Sequence, residues 1–238
     1  LEALLAHEEV HRKRGLEEAV SGLIPMLFEK VIVFSKQHLL ESLNTLMDAI
    51  IENYTDVVAG FAPQFAESIC SNILEHIDRN EESRISTVSG LISTLDKLVV
   101  NADGQIGIIE RVYQSAYKVV YTIFYRKMED FYQETFDLMN SFLYTLRRVD
   151  ADLLRIFTLC LSIERDDLSY YPREINDFID NFLSYGKGSI ISNETLEKIY
   201  GCIDLFIPSV APEDDIYDED FEAGCQISDS LMINAGSA

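Results

Sequence analysis

Residues 39–65 are LLESLNTLMDAIIENYTDVVAGFAPQF, and the spacing of their apolar side chains decides the fold class. The first half repeats apolar residues at the period of an amphipathic helix. These positions are Leu39, Leu40, Leu43, Leu46, Met47, Ile50, Ile51 and Tyr54. The second half begins a four-residue repeat that continues as Phe61, Phe65, Ile69, Ile73 and Ile77. The stretch therefore predicts two consecutive helices, over residues 38–53 and 56–78.

The helical period extends along the chain, and no segment alternates with the period of two that is typical of a strand. The predicted helix pairs cover residues 38–53 and 56–78, 86–101 and 105–126, 128–147 and 151–164, and 173–185 and 194–207. Upstream, residues 16–36 are predicted as a helix bent at Pro25, and residues 1–14 as a further helix or a frayed end. Residues 223–233 are predicted as a short last helix. The sequence predicts an all-α protein.

Local signals support these boundaries. Asp150 and Ser192 are predicted N-caps, and Pro172 suits the first turn of a helix. Eight apolar side chains are expected to be buried between neighbouring helices: Phe65, Ile69, Leu95, Val120, Phe142, Phe157, Phe178 and Ile203. Exposed apolar side chains are expected on the helix at 16–36 or near the C-terminus.

The spacing of the helix pairs indicates a repeat architecture. Helix starts near residues 38, 85, 128 and 173 are 43–47 residues apart, which is the period of HEAT and armadillo repeats. Such pairs stack into an α-solenoid because one pair alone cannot bury its apolar face. The predicted organisation is a solenoid segment at 1–210, an acidic loop at 211–222 and a short helix and tail at 223–238. A closed globular helical bundle is the alternative.

Composition narrows the function classes. The 238 residues include 41 Asp and Glu against 19 Lys and Arg, a net charge of −22, so nucleic acid or an anionic membrane is not expected as the main partner. The best apolar run, at 23–34, contains Pro25, Glu29 and Lys30 and is too short to span a bilayer. The four cysteines lie far apart in the sequence, and we expect reduced, mostly buried thiols.

Four segments in order carry a family resemblance: LNTLMDAIIENYTDVVAGFAPQF at 43–65, GLISTLDKLV at 90–99, FYQETFDLMNSFL at 131–143 and INDFIDNFLSY at 175–185. They resemble HEAT repeats of the karyopherin-β family, and most of all nuclear import receptors of the importin-7/8 type. The resemblance implies a protein-binding receptor segment, with Ran GTPase and phenylalanine-glycine nucleoporins as partners of a longer parent chain. It also implies a location shuttling between cytoplasm and nucleus. The chain opens without Met, and we expect a fragment of that parent.

An acidic segment at 212–222 is the main candidate site. Its predicted site residues are Glu213, Asp214, Asp215, Asp218, Glu219, Asp220 and Glu222, and they are interleaved with Ile216, Tyr217 and Phe221. We expect a flexible loop whose carboxylates attract a basic protein cargo of ribosomal-protein or histone-like charge, while its apolar side chains contact Lys and Arg stems. A loop that only aids solubility is the alternative.

Other functions have weaker support. His7-Glu8-Glu9-Val10-His11 matches the zinc-peptidase signature H-E-x-x-H, but Arg12, Lys13 and Arg14 follow directly and would repel a divalent cation. We therefore expect no enzyme activity, no metal and no cofactor. A structural HEAT-repeat subunit of another protein complex is the second alternative.

Overall fold

The computed structural model describes residues 2–35, 41–79, 82–102, 104–186, 192–207 and 218–235. Within these ranges the chain is helical and contains no strand, which confirms the all-α prediction. The helices are α1 (Glu2–Ser35), α2 (Glu41–Asn53), α3 (Thr55–Arg79), α4 (Ile85–Asn101), α5 (Ile106–Tyr125), α6 (Tyr132–Leu146), α7 (Ala151–Cys160), α8 (Arg165–Leu168), α9 (Pro172–Gly186), α10 (Asn193–Phe206) and α11 (Asp218–Ala235). The chain divides into two compact units, residues 1–112 and 113–238, and the boundary falls within α5.

The first unit stacks the helix pairs predicted from residues 39–65. Helix α2 packs on α4, α3 packs on α4, and α1 lies against α2 and α3. Thr94 of α4 donates a hydrogen bond to Asp48 of α2 at 3.1 Å, and the same carboxylate forms a 2.7 Å ion pair with Lys97. Thr94 and Asp48 are 46 residues apart, so equivalent positions of successive pairs meet at the HEAT spacing.

The second unit repeats this arrangement with α6, α9 and α11. Gln133 of α6 donates to Glu174 of α9 at 2.5 Å, and Asn181 of α9 donates to Asn140 of α6 at 3.3 Å. Both contacts join residues 41 apart in sequence. Helix α9 in turn packs on α11, and α10 packs on α11. The fold class is confirmed: each unit is built of stacked helix pairs of the α-solenoid type.

The predicted core is confirmed at seven of eight positions. The buried side chains are Phe65, Ile69, Leu95, Val120, Phe142, Phe157 and Phe178. The eighth prediction, Ile203, is wrong because α10 buries Ile199, Cys202 and Phe206 and leaves Ile203 only half-buried.

The predicted helix starts at Asp150, Pro172 and Ser192 are confirmed. Asp150 accepts hydrogen bonds from the backbone N–H groups of Asp152 and Leu153, and Ser192 accepts one from Thr195. The helix predicted from residue 128 begins later, at Tyr132. Lys127 has a φ of 53° and Met128 is non-helical, so the chain turns here before α6 starts.

Helix α1 differs from the prediction of two segments. It is one helix from Glu2 to Ser35 with Pro25 inside it. The charged residues between 8 and 18 include good helix formers, and Gly15 costs only about 1 kcal/mol within a helix. The predicted exposed apolar side chains are present at both places, as Leu23, Met26, Leu27, Val33, Phe34, Met232 and Ile233.

A buried polar cluster closes the C-terminal end of α1. Asn72 of α3 donates to Ser35 Oγ at 2.6 Å, and His76 Nε2 donates to the Ser35 carbonyl oxygen at 3.2 Å. Arg84 donates to the other ring nitrogen, Nδ1, at 2.6 Å. With one nitrogen donating and the other accepting, the ring is in its neutral form. Sequence analysis found no role for His76.

We expect the cluster to make the protein less stable in mild acid. Burial and the nearby charge of Arg84 lower the pKa of His76 below its ordinary value. The unfolded chain then binds a proton near pH 6.5 that the folded chain does not. The stability that neutral His76 contributes is therefore fully present above that pH and is lost as the pH falls toward the folded pKa. Between pH 7.5 and pH 5.5, the free energy of unfolding measured in urea should fall further for the wild type than for His76→Gln. Equal losses would contradict this prediction.

Candidate functional site

The predicted acidic site divides into two parts. Glu213, Asp214 and Asp215 lie outside the described residues, as do the side chains of Asp218 and Glu219. The backbone from residue 218 onward is the start of α11, so the loop prediction for residues 218–222 is wrong. Acidic residues stabilise the first turn of a helix because the macrodipole is positive there. Asp220 is half-buried and Glu222 is exposed.

Helix α11 is held in place by an apolar face against α9 and α10. Ala223, Ile227 and Leu231 are buried at four-residue spacing. Gly224 allows the close approach to α10, because a Cβ at this position would lie 2.4 Å from Ile207 Cγ1. The start of α11, with Glu222 one residue before Ala223, is therefore fixed on the second unit.

Polar contacts set the register of α11 on α9. Asn176 donates to Gln226 Oε1 at 2.7 Å, and Ser230 donates to Asp180 at 2.6 Å. Both pairs are 50 residues apart in sequence. A slide of one helical turn would separate both pairs and leave buried polar groups unpaired, which costs free energy.

The two helices enclose an acidic cleft of about 450 Å³. Its lining residues are Arg173, Asp177, Glu222, Ala223 and Gln226. Desolvation by the cleft raises the pKa of Asp177, although its side chain remains accessible to solvent, and the charge of Arg173 opposes that shift. Two carboxylates facing one cleft can bind a cationic side chain more strongly than either alone.

The sequence predicted one residue of this cleft, Glu222, and missed the others. Asp177 and Gln226 lie within predicted helices, and neither residue alone carries a signal of a site in the sequence. The available signal was the four-residue spacing of Arg173 and Asp177, matched by that of Glu222 and Gln226. It is informative only once α9 and α11 are known to be neighbours. Phe221, which precedes Glu222 in sequence, is half exposed (50%).

The side chains of the zinc-peptidase signature at 7–11 lie outside the described part of the chain, although its backbone is part of α1. Among the described residues, no three His, Cys, Asp or Glu side chains are grouped in a way that could hold a metal ion. No described helix is both long and apolar enough to cross a bilayer.

All four cysteines are free thiols. Cys70, Cys160 and Cys202 are buried as predicted, and Cys225 is exposed on α11. Burial raises the pKa of Cys70 to about 12 and that of Cys160 well above its ordinary value. These two thiols are therefore protonated at neutral pH and are poor nucleophiles.

The sequence of the chain is similar to parts of longer curated proteins. A probable importin of Encephalitozoon cuniculi is 30% identical over 223 residues, which cover 92% of this chain and 24% of the relative. Over this range the chain is similar in sequence to part of that probable importin. Nonsense-mediated mRNA decay protein 5 of Saccharomyces cerevisiae is 21% identical over 227 residues, which are 86% of this chain and 21% of that protein. The matched residues thus make up less than a quarter of the length of these curated relatives.

No protein-family model matches the chain, and no solved structure matches it.

Proposed function

We propose that this chain is a segment of a karyopherin-β nuclear transport receptor of the importin-7/8 type, which binds protein cargo and catalyses no reaction. The observation that carries the proposal is the similarity to a probable importin over 92% of the chain. The stacked helix pairs support it, because such pairs offer extended surfaces for protein partners. The segments at 43–65 and 131–143, which suggested this receptor type, lie on α2, α3 and α6.

The cargo of this receptor segment is a basic protein, of the charge type found in ribosomal proteins and histones. The net charge of −22 favours a cationic partner by long-range attraction. The cleft between α9 and α11 adds a local site, with Asp177 and Glu222 facing the same space. The six acidic residues among 213–220 directly precede this part of α11 in sequence and add to the negative charge of the chain.

The other partners of the receptor belong to its longer parent. We propose that the parent binds Ran GTPase, interacts with phenylalanine-glycine nucleoporins and shuttles between cytoplasm and nucleus. Cargo release by Ran-GTP from the full-length parent would support this proposal. A parent that holds its partner equally well with and without Ran-GTP would instead be a structural scaffold of HEAT repeats.

Neutralising the acidic segment should weaken cargo binding and leave the fold intact. The variant combines Asp214→Asn, Asp215→Asn, Asp218→Asn, Glu219→Gln, Asp220→Asn and Glu222→Gln. We expect its affinity for a histone-tail peptide, measured by fluorescence anisotropy in 150 mM salt, to fall at least tenfold, because several charge pairs are lost. The melting temperature should fall by no more than a few degrees, since each first-turn carboxylate contributes only about 0.3–1 kcal/mol through the helix macrodipole.

A matched variant separates local from overall charge. It neutralises six exposed carboxylates elsewhere: Glu29, Asp56, Glu67, Glu129, Asp130 and Glu197. This control should lose less than threefold in affinity, because charges farther than about 8 Å from the ligand are screened at physiological salt. Equal losses in the two variants would show that only net charge matters and would remove the acidic segment from the site.

A further inference from the structure

Four tyrosines form a continuous row along one face of α5 in the second unit. The tyrosine row consists of Tyr113, Tyr117, Tyr121 and Tyr125 at four-residue spacing. Successive ring centroids are 6.4, 6.0 and 5.5 Å apart, and the last two rings are stacked with only 12° between their planes. Four residues of an α-helix rise by about 6 Å, so the helix itself sets this spacing.

The tyrosine row changes from buried to exposed along the helix. Tyr113 is buried and donates a hydrogen bond to Asp150 at 3.4 Å. Tyr117 and Tyr121 are half-buried, and Tyr125 is 66% exposed. A large aromatic side chain with this exposure at the end of a packed row leaves one ring available to a partner.

The row already holds one guanidinium. The Cζ of Arg155, an exposed residue of α7, lies 4.6 Å from the ring centroid of Tyr121. Its Nη2 donates a hydrogen bond to the Tyr121 hydroxyl at 3.1 Å. Distance and position are those of a cation–π contact. The geometry of the tyrosine row is therefore suited to an arginine side chain.

The charge around the tyrosine row favours a cation. Burial raises the pKa of Tyr117, and the negative charge of Asp152 raises it further while Arg155 opposes that shift. Lys118 lies on the same helix as the row, and Arg126 directly follows that helix. Even so, residues 113–238 contain 23 Asp and Glu against 10 Lys and Arg.

We propose that Tyr125, stacked on Tyr121 at the exposed end of the row, forms a binding surface for an arginine side chain of an extended segment in a basic protein partner. This inference rests on the proposed function and specifies the chemistry of its cargo. Side chains two residues apart in an extended peptide are about 6.7 Å from each other, close to the ring spacing of the row, so a second arginine at that position can reach Tyr121 if it displaces Arg155. Arginine is preferred over lysine because its planar guanidinium stacks on aromatic faces and is more weakly hydrated.

The test compares three labelled peptides with the full 238-residue chain by fluorescence anisotropy. Two peptides have the same length and charge and carry their basic residues either all as Arg or all as Lys. The third is uncharged and proline-rich, because exposed tyrosines also bind such segments. We expect the Arg peptide to bind about two- to fivefold more tightly than the Lys peptide, as a partly exposed cation–π contact allows.

Variants locate this preference on the row. Tyr125→Ala and Tyr121→Ala should each reduce the preference for Arg, whereas Tyr125→Phe should keep it because the ring remains. Arg155→Met vacates the Tyr121 ring and should strengthen binding of the Arg peptide. The control Tyr144→Ala removes an exposed tyrosine of α6 that has its own arginine contact, with Arg147 at 5.7 Å, and should leave the preference unchanged.

The outcomes separate the two proposals. The role of the tyrosine row is overturned if the wild type binds the Arg and Lys peptides equally. It is also overturned if the preference for Arg survives in Tyr125→Ala and Tyr121→Ala. Both results leave the proposal of a basic cargo standing. Tighter binding of the proline-rich peptide overturns the assignment of arginine as occupant. Binding of neither basic peptide overturns the proposed basic-cargo function together with this inference.

Discussion

Replacing Phe157 with alanine will lower the free energy of unfolding by about 3–5 kcal/mol. The ring of Phe157 is fully buried on α7 and stacks on Phe182 of α9 at a centroid distance of 3.6 Å. It also contacts Phe178 at 5.5 Å. Its loss removes apolar burial and leaves a cavity that two rigid aromatic neighbours cannot fill. Urea unfolding followed by circular dichroism measures the effect.

An exposed aromatic residue of the same unit is the control for Phe157→Ala. Tyr200 of α10 is 59% exposed, and Tyr200→Ala should change the free energy of unfolding by less than about 0.5 kcal/mol. A loss below 1 kcal/mol for Phe157→Ala would mean that α7 is not packed on α9 as described.

Replacing Gly90 with alanine will destabilise the first unit by about 1–3 kcal/mol. An added Cβ would lie 1.9 Å from Asn44 Nδ2 and 3.2 Å from Asn44 Cβ, so α4 and α2 must move apart or the Asn44 side chain must turn away. Asn44 is itself buried, and turning it therefore disturbs the packing of α2. Thermal and urea unfolding both report this change.

Two further variants test the cause of the Gly90 effect. Gly60→Ala changes a glycine of α3 that has nothing within 4 Å of an added Cβ, and it should be neutral or stabilise by up to about 1 kcal/mol because alanine favours a helix. Gly90→Ala combined with Asn44→Ala should recover most of the lost stability. An additive double variant would show that the two residues do not meet.

The helices could be predicted because their signals are local. The four-residue spacing of Phe65, Ile69 and Ile73 depends only on neighbouring turns, and so does the cap at Asp150. The error at Ile203 concerns the rotation of α10 about its own axis. The apolar stripe of this helix is wide, and the sequence does not say which edge of the stripe faces the neighbouring helix. Its residues are Ile199, Cys202, Ile203 and Phe206. Packing against α11 decides this.

The candidate site was less predictable because it depends on contacts between distant residues. The acidic composition of its segment singled out Glu222. Asp177 is 45 residues away in sequence and lines the same cleft only because α9 packs on α11. The start of α11 was missed since a run of acidic residues favours a solvated loop by charge alone, while burial of Ala223, Ile227 and Leu231 favours a helix. The tyrosine row shows in the sequence as Tyr113, Tyr117, Tyr121 and Tyr125, but only the helix places the four rings on one face.

The distribution of tyrosines makes the intrinsic fluorescence of the protein specific for one of its two units. The chain has 12 tyrosines and no tryptophan, and Tyr54 is the single tyrosine among residues 1–112. Intrinsic emission therefore reports almost entirely on residues 113–238, whereas far-ultraviolet circular dichroism reports on the helices of both units. Denaturation curves from the two signals will coincide if the units unfold together and will separate if they unfold independently. Comparing these two curves measures whether the units unfold cooperatively, without any dye or engineered probe.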